Sequence, residues 1–206
     1  MYCTSCEQCQ LRAQKRVTDR DPITPIIRAV LPIQHIVIDC IVPVDPPSSK
    51  NHKYCLFVMD NCTRWSEVYP LRMLKASEIC DNFLQLFMPM GVASVISSDN
   101  GSNFRNALTQ EFERRLCGSP RFNTPYHPEA SGVTERWNAT FKNMLHHVIT
   151  ENWRAWHKSV SFPVWAYREV PNAMTGVAPY TMLYGRLPRG PLAILKETWT
   201  NLHLST

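Results

Sequence analysis

With 206 residues, 44% of them hydrophobic and 10% aromatic, the chain has room for one large domain with short appendages and a sizeable core. A formal net charge of +5 suits a polyanionic partner without specifying one. No apolar run reaches the roughly 18 residues of a membrane span, no signal peptide opens the chain, and five of the eight cysteines are scattered rather than densely spaced, so a reducing, non-membrane setting is expected.

Residues 1–10 hold a cysteine cluster, and residues 11–30 are charged and then proline-interrupted, which marks a linker. The apolar, β-branched segment from Ile33 to Val42 predicts a buried strand. VDPPSSKNHK reads as a turn, YCLFVMD as a second strand and WSEVYPL as a third. Their short connections predict an antiparallel meander. The periodicity then changes. Ile79, Phe83, Leu86 and Phe87 recur at helical spacing and predict a helix over Lys75 to Met88. A short buried strand is expected over Met90 to Ser97, and Leu108, Phe112 and Leu116 mark a helix over Asn106 to Leu116. RFNTP is a candidate fifth strand.

Val133 to Thr150 predicts a long helix, and Trp153 to Tyr167 a further helical segment bent or interrupted at Pro163. Beyond it, PNAMTGVAPYTMLYGRLPRGPL is rich in turn residues. Strands first, then alternating helices and strands, give an α/β fold: a mixed sheet with helices on its faces.

Three carboxylates stand out. Asp39 closes the apolar run QHIVID, Asp99 follows VASVI within SSDNGSNF, and Glu135 heads the helix in SGVTERWNATFKNML. Thirty-five residues lie between Asp99 and Glu135. Acids held at strand ends and on a helix supply the hard oxygen ligands that magnesium and manganese prefer. Two such ions can clamp the attacking and leaving oxygens of an in-line displacement at phosphorus. At 100° per residue, Val133, Trp137, Phe141, Met144 and Val148 cluster as a core stripe, while Glu135, Ala139, Lys142 and His146 fall on the opposite face. Lys142 and His146 could there meet a phosphate backbone. Each acid alone has a plainer role: Asp-Asn-Gly is turn chemistry, and a first-turn Glu complements the helix dipole. Asp60 also ends an apolar run, but its Asp-Asn context reads as a turn.

Context separates the three. SDNGSNF followed by TPYHPEASGVTERWNATFKNML resembles the catalytic core of retroviral and gypsy-type LTR-retrotransposon integrases, and the resemblance runs from about Ile33 to Pro191. Thr63 to Trp65 and APYTMLYGRLPRGPL extend it. One departure is Val42 before Pro43, where many gypsy-type cores carry Gly-Pro.

The resemblance implies a ribonuclease-H-like fold with a five-stranded mixed sheet flanked by helices, with the catalytic core at 31–170 and an extension of it at 171–206. It implies that Asp39, Asp99 and Glu135 are the catalytic acids and ligands of two Mg2+ or Mn2+ ions. The activity implied is trimming of an element's DNA ends to expose a 3′ hydroxyl, then attack of that hydroxyl on target DNA. Neither step needs a covalent enzyme intermediate. Tyr126, Pro128 and Ser131 fall in the loop expected to meet DNA ends, and Lys142 matches a DNA-contacting position. The implied partners are DNA and further copies of the chain, as a homodimer or higher homo-oligomer; the implied setting is intracellular, and nuclear during action. Two other functions remain open: a domesticated or decayed copy that binds nucleic acid without catalysis, and a ribonuclease-H-like nuclease on RNA hybrids.

The family carries a His-His-Cys-Cys zinc domain before the core, ending in Cys-x-x-Cys-Gln. CEQCQ aligns Cys6 and Cys9 with that ending. No histidine precedes Cys3, so residues 1–10 are expected to be a remnant of such a domain with an incomplete site. Zn2+ is expected only where the domain is completed in a longer protein.

Overall fold

The structure is a computed structural model, and it describes residues 31–41, 45–98, 101–123, 137, 139–147, 150, 153–190, 194 and 197–200. β1 (His35–Ile41), β2 (Tyr54–Asp60) and β3 (Ser66–Leu71) form the expected antiparallel meander. β4 (Val95–Ser98) runs parallel to β1, and β5 (Arg121–Asn123) runs parallel to β4. The sheet is five-stranded and mixed, in the order β3-β2-β1-β4-β5. β3 is an edge strand, which is where Pro70, with no N–H to give a ladder, can be accommodated.

Each face of the sheet has its own core. Ile36, Ile38, Leu56, Val58 and Ile96 pack on one side against α1 (Ala76–Met90) and α2 (Ser102–Leu116), through Ile79, Phe83, Phe87, Leu108 and Phe112. Cys55, Phe57 and Met59 face the other side. There they meet α3 (residues 139–147, preceded by the helical Trp137), α4 (Trp156–Ser159) and α5 (Ser161–Glu169), through Trp137, Phe141, Leu145, Trp156 and Val164. Alternation along β2 therefore feeds both cores, and its residues from Cys55 to Asp60 are all buried. Each large apolar side chain removed from water in this way contributes roughly 1.5–3 kcal/mol.

Four details differ from the sequence expectations. First, α1 continues to Met90, so β4 begins only at Val95; Gly91, at φ 82°, ends the helix and donates its N–H to the Phe87 carbonyl. Second, the stripe of α3 is Trp137, Phe141 and Leu145, spaced i, i+4, i+8, and Met144 is only half-buried. A Met and a Leu one position apart are both apolar, and the sheet takes the one in line with the two rings. Third, the helix break before α5 falls at Val160 rather than at Pro163. Pro163 sits in the first turn of α5, where its missing N–H has no intrahelical partner to lose. Fourth, the turn-rich tail contains α6 (Pro179–Tyr184), begun by proline at its first position and ended by Gly185 at φ 67°.

The stripe makes a direct prediction. Leu145→Ala should cost about 2–5 kcal/mol in urea unfolding, whereas Met144→Ala should cost under about 1 kcal/mol. Equal costs would place both residues in the core.

Candidate active site

Asp39 lies on β1, partly exposed, and its Oδ1 accepts the Cys40 N–H at 2.7 Å. Side chains alternate along a strand, so Asp39 shares a face with His35 and Val37, while Ile36, Ile38 and Cys40 serve the opposite core. Its register partner on β2 is Phe57. On the other flank, β4 runs parallel to β1, with Val37 opposite Ser97 and Ile38 opposite Ser98. The last residue of β4 therefore pairs with the residue immediately before Asp39. His35 Nε2 lies 2.7 Å from Ser97 Oγ, bracing the two strands on the Asp39 face. Burial lowers the His35 pKa, partly offset by the charge of Asp60.

Trp137 reaches the same place from α3. Its ring stacks on Phe57 at 3.7 Å between centroids and 17° between planes. On its other flanks it stacks on Phe141 at 5.0 Å and meets Tyr167 edge-on at 5.7 Å. The indole is 4% exposed, and its Nε1 has no hydrogen-bond acceptor among the described residues. An unsatisfied buried donor costs about 1–3 kcal/mol, so the position gains from ring area rather than from polarity. No periodicity argument could have found this stack, because it joins residues 80 apart in sequence. The signal available was an unusually dense set of rings: Trp137, Phe141, Trp156 and Tyr167.

Asp60 behaves as its turn context predicted. It is 1% exposed and its carboxylate is committed to structure. Oδ1 accepts the Ile33 N–H at 3.0 Å; Oδ2 accepts the Thr63 N–H at 2.9 Å and the Thr63 hydroxyl at 2.6 Å. This turn stands at the opposite end of the β1–β2 ladder from Ile41, since Asp60 pairs with Ile36. Asp39, partly exposed and carrying hard oxygen donors, fits a divalent metal; Asp60 does not.

The remaining predicted residues divide simply. Lys142 is exposed on α3, and His146, one turn on, is half-buried with its ring edge-on to His147 at 6.2 Å. Asp99, Glu135, Tyr126, Pro128, Ser131, Cys6 and Cys9 lie outside the described residues. Among the described residues no group of three or more His, Cys, Asp or Glu could hold a metal ion. The described cysteines, Cys40, Cys55, Cys62, Cys80 and Cys117, are all unbridged. Burial pushes the Cys55 and Cys80 thiols up to about 12, which makes them small core hydrophobes rather than nucleophiles. No helix among the described residues is long and apolar enough to cross a membrane.

Residues 29–128 match the family model described as Integrase core domain. That stretch, just under half of the chain, is similar to an integrase core domain. Among similar curated proteins, the Pol polyprotein of feline endogenous virus ECE1 is 32% identical over 156 residues, covering 75% of this chain and 15% of that protein. The Gag-Pol polyprotein of baboon endogenous virus is 31% identical over 156 residues, with 75% and 9% covered. The Pro-Pol polyprotein of simian foamy virus type 3 is 27% identical over 188 residues, with 91% and 16% covered. The chain thus spans less than a fifth of each of these relatives.

Two solved structures share the fold. A chain of the simian T-cell lymphotropic virus intasome, in complex with a PP2A regulatory subunit, aligns with a TM-score of 0.60 at 22% identity, covering 91% of this chain and 65% of that one. The HTLV-2 integrase catalytic core domain in complex with magnesium, in a trimeric form, aligns at 0.59 and 18% identity, covering 76% of this chain and all of that one. The five-stranded mixed sheet with flanking helices is therefore the ribonuclease-H-like fold of integrase catalytic cores.

Proposed function

We propose that this chain is the catalytic domain of a DNA-integrating enzyme, a metal-dependent polynucleotidyl transferase that processes 3′ ends and transfers them to target DNA. The observation that carries the proposal is convergence on Asp39. Ser98, the residue before Asp99, pairs with the neighbour of Asp39 on β1, and Trp137, two residues after Glu135, stacks on the register partner of Asp39. Two chain segments remote in sequence thus lead to one strand position, as a site built from Asp39, Asp99 and Glu135 requires. The magnesium complex of the structurally similar HTLV-2 core supports the choice of Mg2+ or Mn2+.

When bound, the divalent ions supply Lewis-acid stabilisation of charge developing on the phosphoryl oxygens. Asp39, Asp99 and Glu135 supply the anionic oxygen donors that hold and orient them. In the first step water attacks the phosphodiester near the DNA end, the bond to the 3′ oxygen breaks, and that oxygen takes a proton to leave a 3′ hydroxyl. In the second, this hydroxyl loses its proton as it attacks a target phosphodiester, and the displaced target strand departs with its own 3′ hydroxyl. No protein nucleophile is used, in keeping with Cys40, which packs toward the core on the far face of the sheet. Exposed Lys142 and its neighbour His146 meet the DNA backbone, and Tyr126, Pro128 and Ser131 border the DNA ends. The intasome and trimeric core among the structural neighbours support assembly of several copies on DNA. Action in the nucleus follows from DNA as substrate.

The test offers the protein a branched DNA that mimics a strand-transfer product, alongside an RNA–DNA hybrid, with magnesium, manganese or EDTA. The expected result is resolution of the branch only with a divalent ion. Preferential cutting of the hybrid would instead indicate a ribonuclease, and DNA binding without turnover a non-catalytic copy.

A further inference from the structure

Beyond the Ile41–Cys55 pair, the last of the β1–β2 ladder, residues 45–53 form a turn that is fastened to α4. The Ser49 N–H donates to the Arg154 carbonyl at 2.9 Å, and Ser48 Oγ lies 3.0 Å from His52 Nδ1. The His52 ring stands 4.9 Å from that of His157 and 6.3 Å from that of Trp156, which is fully buried. The Lys53 N–H donates to the Leu71 carbonyl at 3.0 Å, which brings in the segment after β3. Three stretches remote in sequence, 45–53, 72–78 and 153–158, therefore share one surface.

That surface is basic. The three stretches carry six Lys and Arg against two acids, Asp45 and Glu78. Lys50, Arg72, Arg154 and Lys158 are all exposed. Glu78 braces the loop, accepting the Arg72 N–H at 3.0 Å and the Met73 N–H at 3.1 Å. Burial lowers the pKa of both histidines in the seam, and neighbouring cations lower them further: His157, Arg72 and Lys50 at His52, opposed by Glu78, and Lys50 and Lys158 at His157. The fixed cations thus crowd the seam from both sides. Trp153 is 46% exposed, with the Arg154 guanidinium 4.9 Å from its ring. A large ring left in water among cations serves no core, and rings interleaved with basic side chains suit the phosphates and bases of nucleic acid.

The patch also lies beside Asp39. Asp39 and Phe57 are cross-strand partners and so point to the same face, where Phe57 joins Trp156 of α4 in one core. Only about 7 Å of strand separates Asp39 from Ile41, after which the chain leads into the turn. A duplex presents one phosphate charge per about 1.7 Å of its axis, so DNA engaged at Asp39 offers phosphates to the neighbouring surface as well. We propose that Lys50, Arg72, Arg154 and Lys158 form a track for the phosphate backbone of duplex DNA, which it holds beside Asp39 irrespective of base sequence. The choice of DNA among polyanions rests on the proposed function.

The test measures binding of a labelled random-sequence duplex by fluorescence anisotropy, in EDTA so that no metal contributes, over a range of salt. Lys50→Glu with Lys158→Glu is compared with Arg121→Glu and Arg186→Glu, two exposed cations elsewhere that change the net charge equally. The patch pair is expected to weaken binding about tenfold or more near 0.1 M salt. It should also flatten the slope of log affinity against log salt by about 2, since each phosphate contact contributes about 0.9. The control pair should stay within about twofold of wild type. Where the Glu pair does not fold, Lys50→Gln with Lys158→Gln should flatten the slope in the same way. Equal losses in the two pairs, or no loss in the patch pair, would overturn the track; so would wild-type protein that prefers phosphatidylserine vesicles to the duplex. Patch-dependent DNA binding without metal-dependent turnover on branched DNA would support the track and count against the three-acid reading. Metal-dependent turnover with patch-independent binding would do the opposite.

Discussion

Asp39→Asn is expected to cut activity on branched DNA by about 10³-fold while leaving the fold untouched. Asparagine keeps the shape of aspartate and retains an oxygen to accept the Cys40 N–H, the hydrogen bond Asp39 makes at 2.7 Å. It removes the negative charge a divalent ion needs. Metal stabilisation of transition-state charge is worth several kcal/mol, and each 1.36 kcal/mol is about tenfold in rate, which sets the scale of the loss. Asp39 is partly exposed, so the substitution strands no buried charge, and the urea midpoint should move by less than about 0.5 kcal/mol equivalent. A variant that keeps wild-type turnover would remove Asp39 from the site.

Asp60→Ala is expected to do the reverse. Its carboxylate accepts three hydrogen bonds, from the Ile33 N–H, the Thr63 N–H and the Thr63 hydroxyl, at 1% exposure. Alanine leaves two buried backbone donors and a hydroxyl without that acceptor. Each unsatisfied buried group costs about 1–3 kcal/mol, so the loss in stability should be about 3 kcal/mol or more, read as a lower urea midpoint at unchanged slope. Whatever fraction stays folded should turn over DNA at the wild-type rate. Two aspartates on adjacent strands, both at or near the end of an apolar run, thus have opposite phenotypes. A loss of less than about 0.5 kcal/mol on Asp60→Ala would mean that this turn holds itself together without the carboxylate.

The sheet was legible because its strands obey local rules. YCLFVMD is β2 residue for residue, and the strand expected from Ile33 to Val42 contains β1. The assignment of Asp60 to a turn was legible too, because Asp-Asn followed by a Thr three residues on is local chemistry. The choice of Leu145 over Met144 was not, since both satisfy an apolar helical stripe and only the position of the facing sheet decides between them. α6 was overlooked because prolines and glycines at its borders read as punctuation, although Pro179 at its start and Gly185 just past its end are helix signals in that order. In the site, the three acids came from motif context, and Asp39 alone falls among the described residues. The Phe57–Trp137 stack lay beyond any sequence pattern, because it is made by the packing of α3 over β2, between residues remote in the chain.

The central claim is that Asp39, Asp99 and Glu135 act as one unit, and a double-mutant comparison tests it most directly. Asp39→Asn, Glu135→Gln and the double variant are assayed on the same branched DNA in manganese, with folding checked by circular dichroism. Groups that act as a unit are grossly non-additive, so each single variant should lose about 10³-fold and the double should be no worse than the weaker single. A folded single variant at near wild-type rate, or a double variant whose loss is the product of the two single losses, would contradict a shared site.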